Sequence, residues 1–147
     1  KADLVTPNHF ELDFLTGRTT TTLDEVLAAA AQLRAAGPRL VLVTSAVLEG
    51  ADADSVAMIA SSDEGAWLVR TPLLGRTFTG SGDLTAALFL AGYLATGDPG
   101  AALGTTADAV YSLLRATAEA ESSELLLAKA QDQLVAPDHH FAVEQVR

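Results

Sequence analysis

The segment Phe78–Gly92, FTGSGDLTAALFLAG, sets a carboxylate where chemistry could use it. A turn with two glycines ahead of an apolar helix presents successive N–H groups at the positive end of a helix dipole, an arrangement that receives phosphate oxygens. Asp83 there is either an ordinary helix cap or a group with separate work, because a bare carboxylate beside a phosphate site repels the phosphate. Holding and deprotonating an attacking hydroxyl is such work. In TPNHFE, Asn8 and Glu11 stand three apart and point the same way. They read as an N-cap with its capping-box partner, or as an amide and a carboxylate that holds hydrated Mg²⁺ near a triphosphate. LVTS ends a strand in Thr44 and Ser45, where ligands gather in α/β folds, although hydroxyls are also common turn residues. In PDHH, His139 and His140 face different ways on any regular element and lack a third ligand nearby, so a surface turn is expected rather than a metal site.

These groups need elements to position them. A short strand is expected at Asp3–Thr6, followed by a helix with Phe10, Phe14 and Leu15 on one face that stops at Gly17. The next segment, TTTTLDEVLAAAAQLRAAGP, carries a capping box at Thr22 and Glu25 and an apolar stripe of Leu23, Val26, Leu27, Ala30 and Leu33, and it ends at Gly37-Pro38. RLVLVTS suits a buried parallel strand. VAMIASSDEGAWLVRTP reads as an antiparallel hairpin at one side of the sheet, turning at Ser62–Gly65. The helix from Asp83 to about Ala95 is apolar nearly all round and is expected to be buried. Asp98-Pro99 opens a further helix with Leu103, Ala107, Val110, Leu114 and Thr117 along one side. Between Ser123 and Arg147, ELLLAKAQDQLVAP fits helix or strand, and HFAVEQV alternates like a final strand. No repeat or linker divides the chain, so residues 1–147 read as one α/β unit.

Composition limits the partners. The chain has 147 residues, 49% of them hydrophobic, enough to fold around a core. Nine basic against nineteen acidic residues, a net charge of −10, argue against a nucleic-acid surface. Backbone N–H groups and metal ions would then supply most of the positive potential for a polyphosphate. The apolar run LTAALFLAGYLA stops well short of the roughly 18 residues of a membrane span, so no membrane partner is expected. The absence of cysteine is compatible with a cytoplasmic enzyme. KADLVTPN reads as the tail of a strand already under way, which suggests an N-terminal half not represented in the chain.

DLVTPNHFELDFLTG, LVLVTS, FTGSGDLTAALFLA and ELLLAKAQDQLVAPDHHF, in that order and spacing, resemble the C-terminal half of a pyridoxal kinase of the ribokinase superfamily. The resemblance runs over essentially the whole chain. Gly-x-Gly-Asp before an apolar helix is the superfamily signature, and TPNxFE and AQDxxxxP point to the pyridoxal kinase branch. It implies a three-layer α/β/α sandwich with a mostly parallel central sheet, of which this chain is the C-terminal, nucleotide-binding and catalytic part. Asp83 would be the catalytic base facing the 5′-hydroxymethyl group of pyridoxal, and the N–H groups of Gly80, Ser81 and Gly82 the anion hole. Asn8 and Glu11 would lie near the ATP phosphates and Mg²⁺, with Thr6 close to a monovalent-cation site such as one for K⁺. Thr44 and Ser45 would contact phosphates, and the loop carrying Thr71, Leu74, Gly75, Arg76 and Phe78 would flank the nucleotide. Loop length before GSGD varies in the family, which makes Leu74, Gly75 and Arg76 the least direct transfers. Family members are commonly homodimers. Two other readings stay open: a superfamily kinase acting on a hydroxymethylpyrimidine or a sugar, and a non-catalytic nucleotide-binding domain.

Overall fold

Helical layers cover both faces of a five-stranded sheet in the computed structural model, which describes residues 2–147. The elements are β1 (Leu4–Val5), α1 (His9–Thr16), α2 (Leu23–Ala35), β2 (Leu40–Ala46), β3 (Ser55–Ser61), β4 (Ala66–Pro72), α3 (Ser81–Thr96), α4 (Pro99–Glu119), α5 (Asp132–Val135) and β5 (Val143–Gln145). The strands lie in the order β1-β2-β3-β4-β5. β1 and β2 are parallel, and the other three pairs are antiparallel. Within this chain the parallel arrangement is therefore confined to one pair, because β2, β3 and β4 follow each other through short connections that only antiparallel neighbours allow. The hairpin β3–β4 sits in mid-sheet rather than at a side, since β5 pairs with the outer edge of β4.

Period-two alternation sorts β2 between two cores. Val41 and Val43 join Leu12 of α1 and Val26, Leu27 and Ala30 of α2 on one face. Leu40 and Leu42 join Phe89 of α3 and Ala102, Leu103 and Ala107 of α4 on the other. This explains the continuous apolar run: β2 is buried on both sides.

The helix starts follow their local signals. Asn8 caps α1 and Thr22 caps α2, each with its reciprocal glutamate, and Asp98 caps α4 through the N–H groups of Gly100 and Ala101. In the α2 box, the N–H groups of Thr21 and then Thr22 hold the Glu25 carboxyl below its ordinary value. A carboxyl lowered in the folded state contributes stability above the ordinary carboxylate range, and that contribution is lost as pH falls through the lowered value. Thermal melts of Glu25→Gln and the parent should therefore differ at neutral pH and converge on the acid side; a constant difference across the titration would contradict the capping role.

Two helices leave large apolar side chains exposed, and for α3 this departs from the expected burial. In α1 it is Leu12 that enters the core, while Phe10 and Phe14 are each 78% exposed and stack at 6.5 Å. Their face lies beside Val5 and Pro7 over β1, the end strand of the sheet, where no described element packs. In α3 only Thr85 and Phe89 are buried, and Leu94 is 75% exposed. The helix forms an outer layer against α4 on one side, with Gly92 so near Ala102 that an added Cβ would lie 3.4 Å from it.

A closer approach occurs at Gly100, where a Cβ would meet the Trp67 ring at 2.8 Å. Gly100→Ala must displace that ring, and overpacking of this kind costs about 1–3 kcal/mol. The chain's single tryptophan reports its own displacement. Denaturant unfolding followed by its fluorescence should show a lowered midpoint and a changed native signal, and an unchanged midpoint would contradict the contact.

Candidate active site

The turn before α3 decides whether Asp83 is a cap. The N-cap is Gly80, in the left-handed region at φ 86°, and no side chain caps the helix start. A residue with a Cβ would pay about 1–2 kcal/mol for that backbone. Asp83 is consequently left with an exposed carboxylate that lines a cavity of about 760 Å³, within the usual size of a small-molecule site. The N–H groups of Ser81, Gly82 and Asp83 fall in the first helical turn and have no intrahelical acceptor. That of Ser81 is given to the Phe78 carbonyl at 3.3 Å, closing the turn. The N–H groups of Gly82 and Asp83 are left uncommitted at the helix start, beside that of Gly80 in the turn.

Thr44 and Ser45 reach the same cavity through a β-bulge. Val43 pairs with Ile59 and Ala46 with Ala57, so two residues of β2 stand opposite Met58 alone. A bulge bends the strand and re-aims its side chains, and Thr44, Ser45 and Met58 all line the cavity. The Thr44 N–H donates to the Pro7 carbonyl at 3.0 Å, tying the bulge to the start of α1. There Thr6, Asn8 and Glu11 complete the polar rim. The capping box is formed: the Asn8 Oδ1 accepts from the Glu11 N–H at 2.8 Å, and the Asn8 N–H donates to Glu11 Oε2 at 2.9 Å. Glu11 thus serves both the cap and the cavity wall.

His9, which the sequence did not single out, fastens this corner. The Val47 N–H donates to His9 Nδ1 at 3.3 Å, so the ring proton lies on Nε2, which donates to Thr20 Oγ1 at 2.8 Å. The Thr20 hydroxyl donates in turn to Asp13 Oδ1 at 2.7 Å. One imidazole thereby joins the chain after β2 to α1 and to the approach of α2.

The loop after β4 supplies the remaining wall. Thr71, Leu74, Arg76 and Phe78 line the cavity, whereas Gly75 and Gly80 belong to the loop and turn without lining it. Among the described residues Arg76 is the only cation on the lining. Its guanidinium lies 5.0 Å from the Phe78 ring centroid and donates to the Ser122 carbonyl at 2.6 Å. The far wall is apolar: Ala107, Val110, Tyr111 and Leu114 follow helical spacing along α4 and face Val56 and Met58. His139 and His140 lie outside the cavity, packed on α4.

A family model for phosphomethylpyrimidine kinase matches residues 1–128. The chain belongs to the phosphomethylpyrimidine kinase family. Among similar proteins of this kind, the pyridoxal kinase of Leifsonia xyli subsp. xyli is 46% identical over 145 residues, which make up 99% of this chain and 51% of that protein. The pyridoxal kinase of Deinococcus radiodurans is also 46% identical, over 99% of this chain and 51% of its own length. The chain spans about half the length of the curated relatives it matches. Among solved structures, pyridoxal kinase from Leishmania donovani in complex with ADP and ginkgotoxin superimposes with a TM-score of 0.88 at 26% identity, covering 99% of this chain and 51% of that one. The three-layer α/β architecture is that of the pyridoxal kinases, the ribokinase-like fold expected from the resemblance. Among the described residues no helix is long and apolar enough to cross a membrane.

Proposed function

We propose that the full-length protein transfers the γ-phosphoryl group of ATP to the 5′-hydroxymethyl group of pyridoxal, forming pyridoxal 5′-phosphate. The observation that carries this reading is the meeting, in one cavity, of an uncapped Asp83, the donors at the start of α3 and the Thr44–Ser45 bulge. The names of relatives at 46% identity support pyridoxal as acceptor. Asp83 orients the hydroxyl and takes its proton. The N–H groups of Gly80, Gly82 and Asp83 receive the oxygens of the transferring phosphoryl group, while that of Ser81 closes the turn. Asn8, Thr44, Ser45 and Arg76 flank the phosphates, and the apolar wall of α4 takes the base.

Glu11 suits Mg²⁺ by its chemistry: the capping box engages Oε2 and leaves the second carboxylate oxygen outside it, and Mg²⁺ needs only one or two carboxylates beside phosphate oxygens and water. When bound, the ion would neutralise charge on the phosphates. Thr6 on the same rim is the proposed contact for a monovalent cation. A cytoplasmic homodimer is the proposed state, and the exposed apolar face of α1 supports further packing there.

The family description favours one alternative acceptor, a hydroxymethylpyrimidine. The discriminating measurement compares kcat/KM of the full-length protein for the two acceptors with MgATP. Pyridoxal should be preferred; a preference for the pyrimidine would transfer the assignment to it. MgATP that raises the melting temperature without transfer to either acceptor would leave a binding domain only.

A further inference from the structure

The turn Asp138–Phe141 is more than a surface connection, because it is built onto the face of α4 that borders the cavity. Asp108, Tyr111 and Ser112 recur at helical spacing. The Asp108 carboxylate accepts the Phe141 N–H at 2.8 Å and pairs with His140 Nδ1 at 2.9 Å. Ser112 Oγ accepts the His139 N–H at 3.1 Å. Gln133 and Asp138 bond each other twice, at 2.9 Å each, and fix the start of the turn. Between these anchors the rings of His139 and Phe141 stand edge-on to Tyr111, with centroids at 5.1 and 4.9 Å.

Tyr111 belongs to two faces of α4 at once. With Ala107, Val110 and Leu114 it forms the apolar wall of the cavity, and with Asp108 and Ser112 it meets the C-terminal turn. It is 6% exposed, so its ring has little freedom to shift unless the turn lets it. We infer that the segment Asp138–Phe141 is a brace that holds Tyr111 against the cavity, which makes Tyr111 a determinant of nucleotide-base selectivity and His139 a positioning residue acting through it. This rests on the proposal that the α4 wall receives the base of the nucleotide. A planar base against that wall has its distance of approach set by the Tyr111 ring, and a purine with a different edge pattern would feel a loosened wall differently.

The test is the affinity of the full-length protein for MgATP and MgGTP, measured by titration calorimetry on the parent, His139→Ala and His139→Phe, with thermal melts of each. His139→Ala should weaken MgATP binding about 3- to 10-fold, the range given by losing one aromatic edge contact, and narrow the ATP-over-GTP ratio. His139→Phe keeps an aromatic edge and the backbone bond to Ser112, and should restore both quantities to within about 2-fold of the parent. Unchanged affinity in His139→Ala would overturn the brace. So would an affinity loss in both variants that tracks the fall in melting temperature, the mark of a merely structural role. A parent that binds MgATP but transfers nothing would contradict the kinase reading and leave the brace to stand or fall on these affinities. A parent that binds no nucleotide would overturn both.

Discussion

Asp83→Asn in the full-length protein should lower turnover by about 10²- to 10⁴-fold, the range for loss of a general base, with nucleotide affinity nearly unchanged. The substitution keeps the size of the side chain and leaves the turn alone, since Gly80 rather than Asp83 is the N-cap and no side chain caps α3. Helix α3 should therefore start as before, and the melting temperature should hold. What is lost is a negative acceptor on a cavity wall that also carries Thr44, Ser45 and Arg76. Phosphoryl transfer through a loose transition state needs little early deprotonation, so part of the loss reflects poorer orientation of the hydroxyl. Steady-state rates together with MgATP titrations separate these effects. Near-normal turnover would remove Asp83 from the mechanism, and a loss of ATP affinity equal to the loss of rate would make it a binding residue.

Phe89→Ala should produce the largest loss of stability. Phe89 is fully buried and is the largest fully buried side chain in its cluster, which also holds Leu40, Leu42 and Met58 of the sheet and Leu103 of α4. Truncating a buried phenylalanine costs about 3–5 kcal/mol, from lost burial and from the cavity left behind. Native domains are stable by only about 5–15 kcal/mol, so the variant should approach the unfolding threshold. A second effect follows from connectivity: Phe89 lies two helical turns beyond Ser81 and Gly82, and it anchors the helix whose first turn carries the proposed phosphate donors. Denaturant titration reads the first effect, and MgATP affinity at low temperature reads the second. A loss under about 1 kcal/mol would mean that α3 is not held by this contact.

What could be read from sequence was what is decided within a few residues. The capping boxes at Asn8/Glu11 and Thr22/Glu25, the Asp98-Pro99 start and the Ser62–Gly65 turn are local, and each forms. The Gly-Ser-Gly-Asp turn is local too, which is why most of the polar rim could be named beforehand. The apolar wall could not. Val56 and Met58 come from β3 and Val110 and Tyr111 from α4, and each looks like ordinary core until the fold brings the two elements together. The bulge that turns Thr44 and Ser45 into the cavity depends on the register against β3, which no segment encodes alone. Periodicity placed Phe10, Phe14 and Leu15 on one face of α1, and the all-round apolar character of α3 overstated its burial, because burial depends on what lies opposite. Spacing alone said only that the two histidines face different ways, and their bonds to α4 needed the tertiary structure.

The central claim, that the cavity at the start of α3 passes the γ-phosphoryl of ATP to the 5′-oxygen of pyridoxal, is tested most directly by phosphorus NMR of the full-length protein turning over MgATP with pyridoxal. The γ-phosphate signal should be replaced, one for one with ADP, by the phosphomonoester of pyridoxal 5′-phosphate. Accumulation of inorganic phosphate alone, or an ATP signal unchanged by pyridoxal, would contradict it.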